Sequence, residues 1–153
     1  MIKIKAIIKP FEVARILKKL VGREVTVTEG GDFEILPQSR AGLVDDDDRL
    51  VGLIAADQPF VHMTGAALAA VPGGVVADHG DELNEEWLEF YREIANVLSR
   101  AVNEAMARRI RLDPGMDHDD AALDAVKASG VLTSFAVSID GYGDGNVILG
   151  AST

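Results

Sequence analysis

The stretch Trp87–Arg100, "WLEFYREIANVLSR", contains no Gly or Pro and carries two opposed stripes, which makes it the strongest constraint on the fold. At about 100° per residue, Trp87, Tyr91, Ile94, Leu98, Ala101 and Ala105 share one face, with Phe90 and Val102 on its flanks. Glu89, Glu93, Asn96, Arg100 and Asn103 lie on almost the opposite side. The pattern predicts one long amphipathic helix from Glu82 to Arg109 with Asp81 as N-cap. Glu82, Glu85 and Glu86 then sit at its positive end, and Arg108 and Arg109 at its negative end. Such a helix needs a large apolar partner surface, and the rest of the chain must supply it.

That partner reads as a sheet. Ile2–Lys9 starts with the alternation "IKIK" of a strand, and "REVTVTEG" alternates strictly up to Gly30-Gly31, with "FEILP" as its expected hairpin partner. "LVGLIAAD" is a further strand. Residues 131–152 read as a closing hairpin with Asp144-Gly145 at its turn. Between these, Phe11, Ala14, Leu17 and Val21 suggest a helix opened by Pro10 and stopped by Gly22. A second helix, about 58–71, places Phe60, Met63, Thr64, Ala67 and Val71 on one face and ends at "VPGG". "LDPG" breaks the chain at Pro114-Gly115, and "DDAALDAVKA" suggests a short helix. The expected fold is one α+β domain over residues 1–153, a mostly antiparallel sheet covered by helices. Its core must be aliphatic, because 48% of the 153 residues are hydrophobic but only 5% aromatic.

Composition removes several function classes. The absence of Cys excludes disulfides, thiolate metal sites and a cysteine nucleophile. A net charge of −10 disfavours nucleic-acid binding, and the basic clusters "ILKKLVGR" and "MARRIRL" have no interleaved aromatics. The start "MIKIKAIIKPF" is too lysine-interrupted for a signal peptide, and no apolar run suits a membrane span, so a soluble, cytoplasmic protein without membrane partners is expected.

Within the polar stripe, Asn96 stands out. Asn costs roughly 0.5–0.7 kcal/mol against Ala inside a helix, because its amide competes for backbone hydrogen bonds. Glu93 precedes it at i,i+3, so a carboxylate and an amide share one surface patch. The pair could hold an incoming Lys and position a water. Any surface helix has a polar stripe, however, and Glu93 could simply pair with Arg100 or Arg92.

The order strand, helix, Gly-rich loop, long helix with "REIANVLS", then a strand broken by Pro resembles the CheC/CheX/FliY family of chemotaxis phosphatases. The single Glu-x-x-Asn is most like CheX, and the resemblance is carried by residues 50–152. The family pattern is Asp-or-Ser-x-x-x-Glu-x-x-Asn followed by a Pro. Glu93 and Asn96 match it and Pro114 is the candidate Pro, whereas Glu89 stands where the family has Asp or Ser. The resemblance implies hydrolysis of the aspartyl phosphate on a response-regulator receiver domain of CheY type. Glu93 and Asn96 would be catalytic, with Glu89, Arg100 and Pro114 on the receiver-binding surface. No cofactor of its own is implied, the Mg²⁺ being the receiver's, and the resemblance also implies a homodimer. The alternative is a non-catalytic receiver-binding or dimerisation module of the same fold.

Other candidates read as structure. "DDDD" (45–48) lacks the alternating spacing and Gly turn of a calcium loop and reads as a solvated turn. His62, His79 and His118 fall on separate elements without ligand spacing. "GYGDGN" has no Lys-Ser/Thr and opens no helix, so it is a hairpin turn. Ser99, Ser134 and Ser138 have no nucleophile-elbow context, and a small-molecule enzyme has no supporting motif.

Overall fold

The computed structural model describes residues 8–30, 39–106, 109–117 and 130–152. The expected strand at 2–9 (apart from its last two residues), the "FEILP" partner strand and the "DDAALDAVKA" helix lie outside them. In chain order the elements are α1 (Pro10–Val21), β1 (Val25–Glu29), β2 (Ser39–Val44), β3 (Leu50–Ala56) and α2 (Gln58–Leu68). There follow α3 (Gly73–Asp78), α4 (Glu85–Met106), β4 (Arg111–Asp117), β5 (Gly130–Ile139) and β6 (Gly143–Ser152). Among the described residues the strands form one six-stranded antiparallel sheet in the order β1-β5-β6-β3-β2-β4. This is the expected α+β class, with one long helix.

The central strands fix the core. Leu43, Ile54, Ala56, Phe135, Val137, Ile139, Val147 and Leu149 point from one sheet face into a cluster with Val13 and Leu17 of α1, Phe60 and Met63 of α2, and Tyr91, Ile94, Leu98 and Val102 of α4. α2 is buried from Phe60 through Ala67, so the expected one-sided helix is buried all round, between sheet and α4. The face of α1 also differs from expectation. Phe11 is 62% exposed, whereas Val13 and Leu17 are fully buried. Val13, Ile16, Leu17 and Leu20 form a fuller i, i+3, i+4, i+7 stripe than Phe11, Ala14 and Leu17, and packing selects it.

Boundaries move for identifiable reasons. Asn84, not Asp81, caps α4: its Oδ1 accepts the Trp87 N–H at 3.0 Å and its carbonyl accepts the Leu88 N–H. Residues 81–84 are held as a loop, since Gln58 Nε2 donates to the Asp81 carbonyl at 2.6 Å. α2 ends before "VPGG" as expected, and the two glycines of that segment open a further short helix, α3. Tyr142 donates its hydroxyl to the Val71 carbonyl at 2.6 Å, and a Cβ at Gly73 would run into the Gly141 carbonyl. The β5–β6 turn falls at residues 140–142, where Gly141 has φ 83°, while Asp144 and Gly145 pair with Ser138 and Val137 inside the ladder. Pro114-Gly115 does not end the strand but bulges it. Ala41 pairs with Asp117 and Leu43 with Leu112, so 113–116 stand opposite Gly42 alone.

Candidate functional site

α4 spans the helical layer and presents its outer face to solvent. Its inner face buries Trp87, Tyr91, Ile94, Ala95, Leu98 and Val102, and a T-shaped contact between Tyr91 and Phe60, with centroids 6.1 Å apart, fixes it against α2. A Cβ at Gly65 would collide with the Trp87 carbonyl, so the two helices meet backbone to backbone at the start of α4. This rigid base carries the candidate residues.

Glu89, Glu93 and Arg100 are exposed and Asn96 is half-buried beside them. Glu93 makes no ion pair with a described residue, and neither does Arg100. The nearby cation Arg92 instead approaches Glu89, at 3.8 Å, an exposed pair that contributes little. The Asn96 side chain makes no hydrogen bond to a described residue. Its carbonyl does accept the hydroxyl of the buried Ser99 at 2.6 Å, which ties down the backbone behind the amide. A free carboxylate and a free amide therefore project one turn apart from a helix braced on its other side. The Phe90 ring, 38% exposed, adds an apolar edge.

The remaining stripe residue has a different use. Asn103 Oδ1 accepts the Ile110 N–H at 2.9 Å, securing the passage from α4 into β4. Pro114 lies on β4, the edge strand beside β2 and against α4, so the sheet and not α4 carries it. Ala105 is exposed instead of continuing the apolar stripe, because α4 ends one residue later.

The acidic run is a turn with partners. Asp45 Oδ1 accepts the Asp47 and Arg49 amides at 2.9 and 3.0 Å, Asp46 lies 3.8 Å from Arg109, and Asp48 pairs with Arg111. No group of three His, Asp or Glu capable of holding a metal occurs among the described residues, and no helix among them is long and apolar enough to cross a membrane.

Sequence reasoning missed one constellation. His62 and His79, on different elements, meet with ring centroids 5.4 Å apart, and both contact Trp87, at 5.1 and 4.8 Å. His62 Nε2 accepts the Asn84 N–H at 3.0 Å, and burial, then the nearby His79, hold its pKa below the ordinary 6.5. Beside it opens a cavity of about 440 Å³ edged by Pro59, Val76, Asp81, Tyr142 and Asp144. No sequence spacing signals this cluster, since α2, α3 and α4 come together only in three dimensions. His118 lies outside the described residues.

No protein-family description and no curated protein sequence matches the chain. Solved structures do. The FliM middle domain from H. pylori superposes with a TM-score of 0.67 at 9% identity, over 94% of this chain and 84% of that one. FliM is also matched in its complex with FliG. FliY from Thermotoga maritima gives 0.57 at 16% identity, over 92% and 82%. The chemotaxis protein CheX from Vibrio vulnificus gives 0.50 at 13%, over 94% and 97%. The likeness thus extends beyond residues 50–152 to nearly the whole chain, and this protein has the fold of the FliM middle domain, FliY and CheX.

Proposed function

We propose that the outer face of α4 hydrolyses the aspartyl phosphate of a CheY-type receiver domain, with Glu93 and Asn96 as the catalytic pair. One observation carries this reading. The only two residues that match the family's Glu-x-x-Asn stand together on the open face of a braced helix, and neither side chain is engaged by a described residue.

The chemistry asks little of the visiting protein. Water adds to phosphorus, the P–O bond to the aspartate carboxyl breaks, and the products are the free carboxylate and inorganic phosphate. The phosphoryl group is already activated by the receiver's own Mg²⁺, so what is missing is position. Asn96 can accept from the attacking water through its carbonyl oxygen and hold it in line. Glu93 is left to pair with a receiver Lys, which fixes how the two proteins dock. Glu89 and Arg100 border the pair, and Pro114, on the neighbouring strand β4, is the further candidate for the receiver contact. Because these charges are exposed, docking weakens as salt rises.

A second reading has its own support. FliM middle domains superpose with higher TM-scores than CheX does, and one of them is seen assembled with FliG. A module that binds through the same α4 face without hydrolysis is consistent with that, and with Glu89 replacing the family's Asp or Ser. Mixing the protein with phosphorylated receivers from the same genome separates the two. Faster loss of phosphate supports catalysis, whereas binding with unchanged phosphate lifetime supports the module.

A further inference from the structure

The first turn of α4 hangs from an imidazole that acts as an acceptor. His62, only 6% exposed, receives the Asn84 N–H at Nε2, so that nitrogen carries no proton in this arrangement. Asn84 in turn accepts from the Trp87 amide through Oδ1, at 3.0 Å, and from the Leu88 amide through its carbonyl, at 3.0 Å. The three bonds form one chain from α2 to the start of α4. We propose that His62 is a pH-operated anchor for α4. Protonating Nε2 sets a donor against the Asn84 N–H, releases Asn84, and frays the first turn of the helix that carries Glu93 and Asn96.

The surroundings oppose the charged ring. Burial disfavours imidazolium most, and His79, whose own Nε2 lies 2.8 Å from the Glu82 carbonyl, adds like-charge repulsion when it protonates. On the other side, Asp81 of the preceding loop and Asp144 of β6 line the open cavity next to His62 and favour its charge through water. Glu82, Glu85 and Glu86 are exposed, and Asp57, the N-cap of α2, is committed to Phe60 and Asn146. The Trp87 ring, 5.1 Å away, can attract an imidazolium but cannot replace the lost acceptor. α4 as a body is held by its buried inner face, where Tyr91, Ile94, Leu98 and Val102 pack in the core cluster with α2 and the sheet. The strain therefore falls on the Asn84 loop.

Amide hydrogen exchange read by NMR on the full chain tests this. From about pH 8 to about pH 5, protection of the Asn84, Trp87 and Leu88 amides should fall about tenfold or more, while the Leu98 amide stays protected. His62→Gln keeps an acceptor oxygen and cannot titrate, so its first-turn protection should not depend on pH. His79→Gln, by removing the neighbouring charge, should move the transition to higher pH. Constant protection in the wild type, or an equal fall in His62→Gln, overturns the proposal. If His62→Gln does not fold, the wild-type His62 ring is titrated by NMR beside the exchange measurement, and a loss of first-turn protection that does not follow protonation of that ring overturns it instead. Because the readout is exchange, the result is independent of whether α4 performs hydrolysis.

Discussion

At the scale of single residues, Asn96 bears the most weight. Its amide is free of described partners, so replacing it with Ala removes a poor helix former without orphaning anything. Asn96→Ala should melt no lower than wild type and should gain roughly 0.5 kcal/mol, readable by thermal or urea denaturation. A loss of about 1–3 kcal/mol would instead mean a buried hydrogen bond had been broken. Glu93→Ala should leave the melting temperature almost unchanged, because the carboxylate holds no described cation, and should weaken receiver binding at low salt. His62 adds a pH term. Its native pKa lies below the 6.5 of the free side chain, so the unfolded chain takes up the proton first as pH falls. The stability the neutral ring contributes is fully present above about pH 6.5 and declines as pH drops from there through the lowered native value. The slope from this group is at most about 1.4 kcal/mol per pH unit, and His62→Gln should remove it from denaturation curves measured across that window.

At the scale of elements, two junctions decide where α4 sits. Asn84→Ala deletes the cap but keeps the backbone N–H that His62 receives, so it should cost about 1 kcal/mol, with Asn84→Ser largely restoring it. Gly65→Ala pushes a methyl into the Trp87 carbonyl and should cost about 1–3 kcal/mol while reddening the emission of the single Trp as α4 is displaced. These junctions also show what the sequence could and could not say. The strands at 25–29 and 50–56 and the long helix were legible because local periodicity and burial agree there. The buried face of α1 is not legible in the sequence, because two stripes compete on one short helix and only packing chooses between them. Asp81 looked like the cap, yet hydrogen bonds from Gln58 and to His62, both distant in sequence, hand that role to Asn84. The hairpin turn shifted to 140–142 because Gly145 is needed flat in the ladder, where a Cβ would press on the Phe60 backbone. Glu93 and Asn96 were readable as a pair from spacing alone, while their freedom from neighbours was not.

At the scale of the whole molecule, the described residues form a six-stranded sheet backed by helices, of which α4 exposes one acidic, amide-bearing face. A net charge of −10 suits a partner that offers a basic contact, and it predicts association that slows as ionic strength rises. The fold shared with the FliM middle domain, FliY and CheX is compatible with catalysis and with pure binding, so the division between them rests on chemistry at α4. The most direct measurement is single-turnover loss of phosphate from Mg²⁺-bound, phosphorylated CheY-type receivers of the same genome, with wild type and Asn96→Ala compared at equal concentration. The account predicts that wild type shortens the phosphate lifetime of at least one receiver by about tenfold or more, and that Asn96→Ala returns it to the receiver's own rate while remaining folded. A wild-type protein that leaves every lifetime unchanged, or an Asn96→Ala variant as fast as wild type, contradicts it.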